Sequence, residues 1–240
     1  MKILHLYYDI MNLYGEYANV LALERLLRAN SIDVTTDKIT LDEKADISVY
    51  DFIYIGSGTE RNQKVVLENL KQYAEDLKTY TENGKTALLT GNSFEMLGKT
   101  ITDSKGKIFD GIGLSEFETT EQNKKRMTAD AIFSADFSDK KLVGFINKSS
   151  SINNVDTPLF SVEMGIGNND NDKKEGIRIN NLFGTHLTGP VLMKNPYFLE
   201  YIAGLIIGTD KKLNTDHLYY EKAGYEVTLS ELTRRASANQ

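Results

Sequence analysis

The 240-residue chain contains no cysteine. Disulfides, thiolate zinc sites and cysteine nucleophiles are therefore excluded. Histidine is scarce: His5, His186 and His217 lie far apart and show no metal-ligand spacing. A structural or surface role is the ordinary use of each. No metal and no cofactor is expected. Basic residues are not in excess: 28 Lys and Arg stand against 34 Asp and Glu, a net charge of −6. With no basic patch, a nucleic-acid partner is not expected. No apolar run approaches the roughly 18 residues of a spanning helix, so no membrane span is expected. The first ten residues, MKILHLYYDI, read as a first strand rather than a signal peptide. A cytoplasmic location is the default expectation.

What is present fits a folded domain, 40% hydrophobic and 26% charged. Residues 2–7 form a strand. In 16–29, Tyr17, Val20, Leu23 and Leu27 recur at helical spacing, which predicts an amphipathic helix with those four inside. A second strand is expected at 32–36. Residues 51–55 are a continuous apolar strand of the kind buried on both faces of a parallel sheet. A long helix is predicted over 62–82, with Val65, Val66, Leu70, Tyr73 and Leu77 as its buried stripe. Residues 85–90 supply the next strand. This alternation predicts an α/β fold: a doubly wound, mostly parallel sheet with helices on both faces.

The second half changes character. Short strand-like runs at 107–117, 128–137, 142–147 and 158–164 are separated by polar loops. Residues 176–188 read as a hairpin or strand pair, with Asn180 and Asn181 as the turn. Pro196 opens a helix that runs to Gly208. The simplest division is a domain over 1–208 and a polar extension over 209–240. A helix is predicted at 228–236, capped by Thr228 or Ser230.

The stretch TGNSFEMLG (90–98) raises the functional question. A strand leads into it and a helix-like run follows. Enzymes place nucleophiles at such bends, because the sharp turn lifts one side chain above the sheet. The apex here is Gly91, which has no side chain to lift. The bend demands positive φ, which glycine reaches without steric cost.

Six stretches carry a family resemblance: LYYDIMNLYGEYANVLAL (6–23), YDFIYIGSGTERNQ (50–63), ENGKTALLTGNSFEMLGKTI (82–101), FDGIGLSEFET (109–119), LVGFIN (142–147) and GIGNNDNDKKEGIRINNLFGTHLTGPVLMKNP (165–196). In order and spacing they resemble the class I glutamine amidotransferases of the cobyric-acid-synthase-like branch. Within it they resemble the amidotransferase subunit of lipid II isoglutaminyl synthase, a bacterial peptidoglycan enzyme. The resemblance implies the flavodoxin-like amidotransferase fold, hydrolysis of glutamine, and ammonia passed to a Mur-ligase-like or other amide-forming ligase.

It also locates the chemistry. The family nucleophile is a Cys in a run resembling ICGGYQLLG, and alignment on Met96-Leu97-Gly98 places Gly91 there. Asn92 and Ser93 take the two glycine positions, and Glu95 the Gln position. The family base is a His in GTYLHGP. Here the run is GTHLTGP and Thr188 takes that place. A third run resembling VGFENHSGRTY has become VGFINKSSSIN, with Lys148, Ser150 and Ser151 at the His, Gly and Arg positions. Gly56-Ser57-Gly58 occupy the loop that supplies the family's oxyanion N–H.

Gly91 cannot attack an amide, and the Thr188 hydroxyl holds its proton near neutral pH, so the thiolate–base pair is missing. The expectation is a pseudoenzyme subunit that keeps the fold and docks on a ligase. Gly56, Ser57, Gly58, Asn92, Glu95 and Lys148 are the candidate ligand-binding residues. One alternative is a stand-alone binder that uses the former glutamine pocket, with Lys148 attracting an anion. The other is a glutaminase using Ser93 and His186. Against it, Ser93 has an ordinary use as a helix cap or first-turn residue and His186 as a packed or solvent-tipped strand residue. His186 lies two positions from the base position, about 6.5–7 Å away along a strand. The Asn-rich segment 168–172 lacks the Gly and Glu of a calcium loop and is expected as a solvated hairpin turn.

Overall fold

A computed structural model describes residues 1–123, 126–208 and 213–238 of the chain. Strand β1 (Lys2–Leu6) leads to helix α1 (Ala18–Ala29) and β2 (Thr35–Ile39). Then come β3 (Phe52–Ile55), α2 (Glu60–Leu70), α3 (Ala74–Glu82) and β4 (Thr86–Thr90). The short strands β5 (Thr100–Thr102), β6 (Ile108–Asp110) and β7 (Glu118–Glu121) precede a long hairpin, β8 (Met127–Ala135) and β9 (Ser138–Lys148). β10 (Ser150–Asn153), β11 (Phe160–Met164) and β12 (Lys174–Glu175) follow. The last strands are β13 (Ile177–Ile179), β14 (Leu182–Thr185) and β15 (Leu187–Thr188), before α4 (Val191–Lys194), α5 (Pro196–Ile207) and α6 (Tyr219–Ala238).

The main sheet has the order β13-β14-β4-β3-β1-β2, parallel except for the edge strand β13. Alternation along β3 shows why both faces are covered. Phe52 and Tyr54 pack with Leu23, Leu26 and Leu27 of α1 and Phe198 and Ile202 of α5. Ile53 and Ile55 point the other way, to Val66, Leu67 and Leu70 of α2 and Leu77 of α3. A strand buried on both sides needs apolar residues at successive positions, which FIYI supplies. The doubly wound expectation is thereby met. The second half adds two smaller sheets, β10-β7-β5-β6 and β12-β11-β8-β9-β15. The second carries β15, and with it Thr188, against β9.

Several expectations require correction. The 62–82 helix is two helices, broken by a 3₁₀ turn at Lys71–Tyr73. There Tyr73 is buried and its hydroxyl accepts the Ala45 N–H at 3.2 Å. Val65 is 49% exposed, because the buried stripe of α2 runs through Gln63, Val66, Leu67 and Leu70. Tyr17 is 50% exposed, since it precedes the first turn of α1. Only 108–110 of the 107–117 run is strand. The C-terminal helix starts at Tyr219 rather than 228, so Thr228 and Ser230 are interior. The Thr228 hydroxyl donates to the Gly224 carbonyl at 2.9 Å and caps nothing. Only Tyr225 and Leu232 of α6 are buried, too sparse a stripe for periodicity to mark its start. The opening residues of the expected extension, 209–212, lie outside the described residues.

Candidate functional site

The bend after β4 is the centre of the site. Gly91 has φ 62°, the left-handed region that favours glycine, and opens a 3₁₀ turn over Gly91–Leu97. Ser57 crowds it. A Cβ on residue 91 would stand 2.5 Å from the Ser57 Cβ and closer still to its hydroxyl. The room a nucleophilic side chain needs is taken. Next in sequence, Asn92 turns its Oδ1 onto the Gly58 N–H at 3.0 Å, with the Ser57 hydroxyl at 3.5 Å. One N–H of the Gly56-Ser57-Gly58 loop is therefore satisfied within the chain. The glycines of this loop have a packing reason: a Cβ on Gly56 would strike the Met11 carbonyl, and one on Gly58 the Met11 sulfur.

Glu95 is the hub beneath the bend. Its Oε1 accepts the Ser150 hydroxyl at 2.5 Å and His186 Nε2 at 2.8 Å. Its Oε2 accepts Gln63 Nε2 at 2.7 Å, and the same amide donates to the Asn92 carbonyl at 2.6 Å. Burial pushes the Glu95 carboxyl up. The hydrogen bond and charge of His186, with the Ser150 and Gln63 bonds, outweigh burial and hold it below the usual carboxylate range. His186 is wedged between two acids. Its Nδ1 lies 3.6 Å from Glu175 Oε1, and its ring meets Phe94 edge-on with centroids 4.5 Å apart. Glu175 in turn accepts the His186 N–H at 2.7 Å and the Thr185 hydroxyl at 2.6 Å. His186 is thus a packed, buried histidine tied to the bend through Glu95.

The other expected residues are spent elsewhere. The Lys148 ammonium donates to the carbonyls of Gly167 (2.6 Å) and Asn168 (2.8 Å), so it pins a loop instead of waiting for an anion. Burial lowers its pKa, against the pull of Glu175, Glu95, Asp170 and Asp172. Asn168 is fully buried and exchanges hydrogen bonds with Gly176, which corrects the expectation of a wholly solvated turn. Among the described residues no cluster of acidic and histidine side chains is arranged to hold a metal. Ser93 is fully buried, and its hydroxyl reaches back to the carbonyls of Thr90 (2.8 Å) and Ile55 (3.1 Å). Ser93 lies in the first turn, as one of its two expected uses has it, and the turn opens without a side-chain cap. The Thr188 hydroxyl donates to the Phe145 carbonyl at 3.0 Å.

A second carboxyl, unforeseen from the sequence, lies behind the bend. Glu16 is fully buried, bonded to the Thr90 hydroxyl and to Tyr54 OH at 3.0 Å. Burial pushes it up to about 7, against the hydrogen bonds of Thr90, Tyr54 and the Gly189 backbone. Gln63 and Glu175 were also missed. Nothing in their local sequence separates them from surface polar residues.

Ser57, Asn92, Glu95, Lys148, Ser150 and His186 converge on one cavity, whereas Gly56, Gly91, Ser93 and Thr188 do not line it. The free volume is about 10 Å³, room for about one water. Glu60 pairs with Arg126 across the mouth and accepts the Ser149 hydroxyl at 2.8 Å.

Residues 2–196 match the CobB/CobQ-like glutamine amidotransferase domain. The chain belongs to that family. Two curated relatives are similar along most of their length. The lipid II isoglutaminyl synthase (glutamine-hydrolyzing) subunit GatD of Staphylococcus aureus is 33% identical over 202 residues, 84% of this chain and 82% of that one. The same-named subunit of Streptococcus pneumoniae is 30% identical over 198 residues, 81% and 76% of the two chains. Among solved structures, a glutamine amidotransferase superposes with TM-score 0.59 at 11% identity, covering 86% of this chain and 99% of that one. The glutaminase domain of Trypanosoma brucei CTPS, with bound acivicin, gives 0.55 at 9% identity, covering 89% and 96%. At such identity these two establish the fold. In this amidotransferase-like chain the cavity beside the bend is filled by the chain's own side chains.

Proposed function

We propose that this protein is a catalytically inactive amidotransferase-like subunit that docks on an amide-forming ligase, of the Mur-ligase-like kind, in the bacterial cytoplasm. One observation carries the reading: the reaction space is filled from within. Ser57 sits where a side chain on residue 91 would stand, and Asn92 holds the Gly58 N–H. A free volume of about 10 Å³ does not admit a glutamine. There is no thiolate and no histidine at residue 188, and the Gly58 N–H is already taken, so the nucleophile and base of amide hydrolysis are missing and one oxyanion donor is occupied. The likeness to GatD, named as a subunit of a larger synthase, supports a protein partner. Peptidoglycan amidation is the pathway that name suggests.

The same geometry weighs against the two alternatives. A glutaminase through Ser93 and His186 lacks contact between them: the hydroxyl is bonded to carbonyls and the imidazole to Glu95. A binder that uses the former glutamine pocket lacks room. The test is a pull-down of the tagged chain from its own cells with mass spectrometry, paired with a glutamate-release assay on the pure protein. An amide-forming ligase recovered near one to one, with no glutamate released, is the expected result. Glutamate release from glutamine by the pure chain overturns it.

A further inference from the structure

The former active site lies at the ends of β3 and β4. A separate cleft opens between α1 and the carboxyl-terminal ends of β1 and β2, lined by His5, Tyr8, Asn12, Tyr17, Glu24 and Lys38. Val20 and Leu21 complete its wall.

Three features of this cleft point to a ligand. First, His5 is 2% exposed, yet its Nε2 has no hydrogen-bond partner in the chain. Buried polar atoms are nearly always paired, so this orphan, enclosed behind the cleft wall, is an unmet demand, and the ring's Nδ1 is the nitrogen that the cleft reaches. Burial, with the nearby Lys38 charge, lowers the His5 pKa to about 4, so the ring is neutral at pH 7. A neutral imidazole offers one N–H and one lone pair. Second, the walls are aromatic. Tyr8 meets the His5 ring edge-on at 6.2 Å, and Tyr17, half exposed, stands on the α1 side. Asn12 spends its Oδ1 on the Tyr17 N–H at 2.9 Å, which leaves its NH₂ to offer. Third, a cation stands at the mouth. Lys38 is the register partner of His5, and its ammonium lies 5.7 Å from the Tyr8 ring centre.

Size narrows the choice. The cleft holds about 200 Å³, below the roughly 300–1,000 Å³ of sites that swallow a whole drug-sized ligand. It suits one flat ring system with the rest of the molecule outside. A planar edge that both donates and accepts, laid against an aromatic wall, with an anion beyond it, describes a nucleotide.

We propose that this cleft binds a nucleobase, carried by a nucleotide whose phosphate lies outside the cleft beside Lys38. Nucleotide binding here does not depend on the inactive-subunit reading, because none of the six polar lining residues touches the filled pocket's hub.

The test is titration calorimetry of the full chain with AMP, UMP and inorganic phosphate, alongside NMR of the His5 ring. At least one nucleotide is expected to bind and to move the His5 signals, while phosphate alone gives neither heat nor shift. Tyr17 is half exposed, so Tyr17→Ala folds; it weakens nucleotide binding about tenfold, in the range of one lost base stack. Lys38→Ala weakens AMP but leaves adenosine unchanged. The proposal is overturned if neither nucleotide moves the His5 signals at millimolar concentration. It is equally overturned if phosphate binds as well as AMP, or if Tyr17→Ala leaves the affinity unaltered.

Discussion

The Ser57 Cβ lies 2.5 Å from the point where a Cβ on Gly91 would stand. Real Cβ atoms do not come so close, so residue 91 is committed to glycine by its neighbour as well as by its φ of 62°. Gly91→Cys should therefore cost about 1–3 kcal/mol, from left-handed strain plus overpacking. Ser57→Gly in the same chain removes the clash and should recover part of that loss. Denaturant unfolding of the four chains in the cycle measures the coupling. Additive costs would mean that the two residues do not compete for space. On the proposed reading neither variant releases glutamate from glutamine, since residue 188 is still a threonine.

Glu95 and His186 form the second relationship with a measurable consequence. The folded-state carboxyl is held below its ordinary value. Its stabilisation is therefore complete above the unfolded carboxylate pKa and is lost as pH falls through the folded one. Glu95→Gln should cost about 3 kcal/mol at neutral pH, where a buried network loses its charged partner. Below the carboxylate range the gap to wild type should narrow. Unfolding free energies from pH 7 to pH 3 check this. A gap that stays constant with pH would remove Glu95 as an ionised hub.

Glu16 has the opposite sign. Burial raises it from an ordinary 4.5 to about 7. The folded state favours its protonated form, so its contribution is full below 4.5 and lost as pH rises through about 7. Glu16→Gln keeps the shape without the ionisation. Relative to this variant, wild type should lose up to about 3 kcal/mol between pH 4.5 and pH 8, at about 1.36 kcal/mol for each tenfold change in proton affinity. Parallel stability curves would mean that Glu16 is ionised in the fold with a partner of its own.

Much of the fold was legible because parallel strands announce themselves. FIYI and TALLT are short unbroken apolar runs, each buried at every position. The bend was legible from a single glycine in a strand–turn context. Packing at the ends of elements was not: Tyr17 and Val65 satisfy a helical period and still face solvent. The pocket was half legible. Gly91 and Thr188 were singled out by resemblance to a motif. Their surroundings could not be, because Ser57 against Gly91, and Glu95 against His186, are contacts across 34 and 91 positions of chain. No local pattern encodes them. Glu16 and Glu175 look like surface acids in the sequence and are wholly buried in the fold.

The C-terminal helix gives the last prediction. Tyr225 and Leu232 of α6 pack with Ile132 of β8 and Val143 of β9, and the Tyr225 hydroxyl donates to the Lys141 carbonyl at 2.7 Å. This seam is small, and it sets α6 against the hairpin whose far edge carries β15. Leu232→Ala should therefore cost about 2 kcal/mol, the low end for a buried leucine. Val227→Ala, at a position 71% exposed, should change stability by less than about 0.5 kcal/mol. Equal costs at the two positions would mean that α6 is not docked in solution. If the Leu232 cost appears and hydrogen exchange in β9 rises with it, the helix braces the strand that holds Lys148 against the Asn-rich loop. The extension beyond the family domain would then help keep the filled pocket closed.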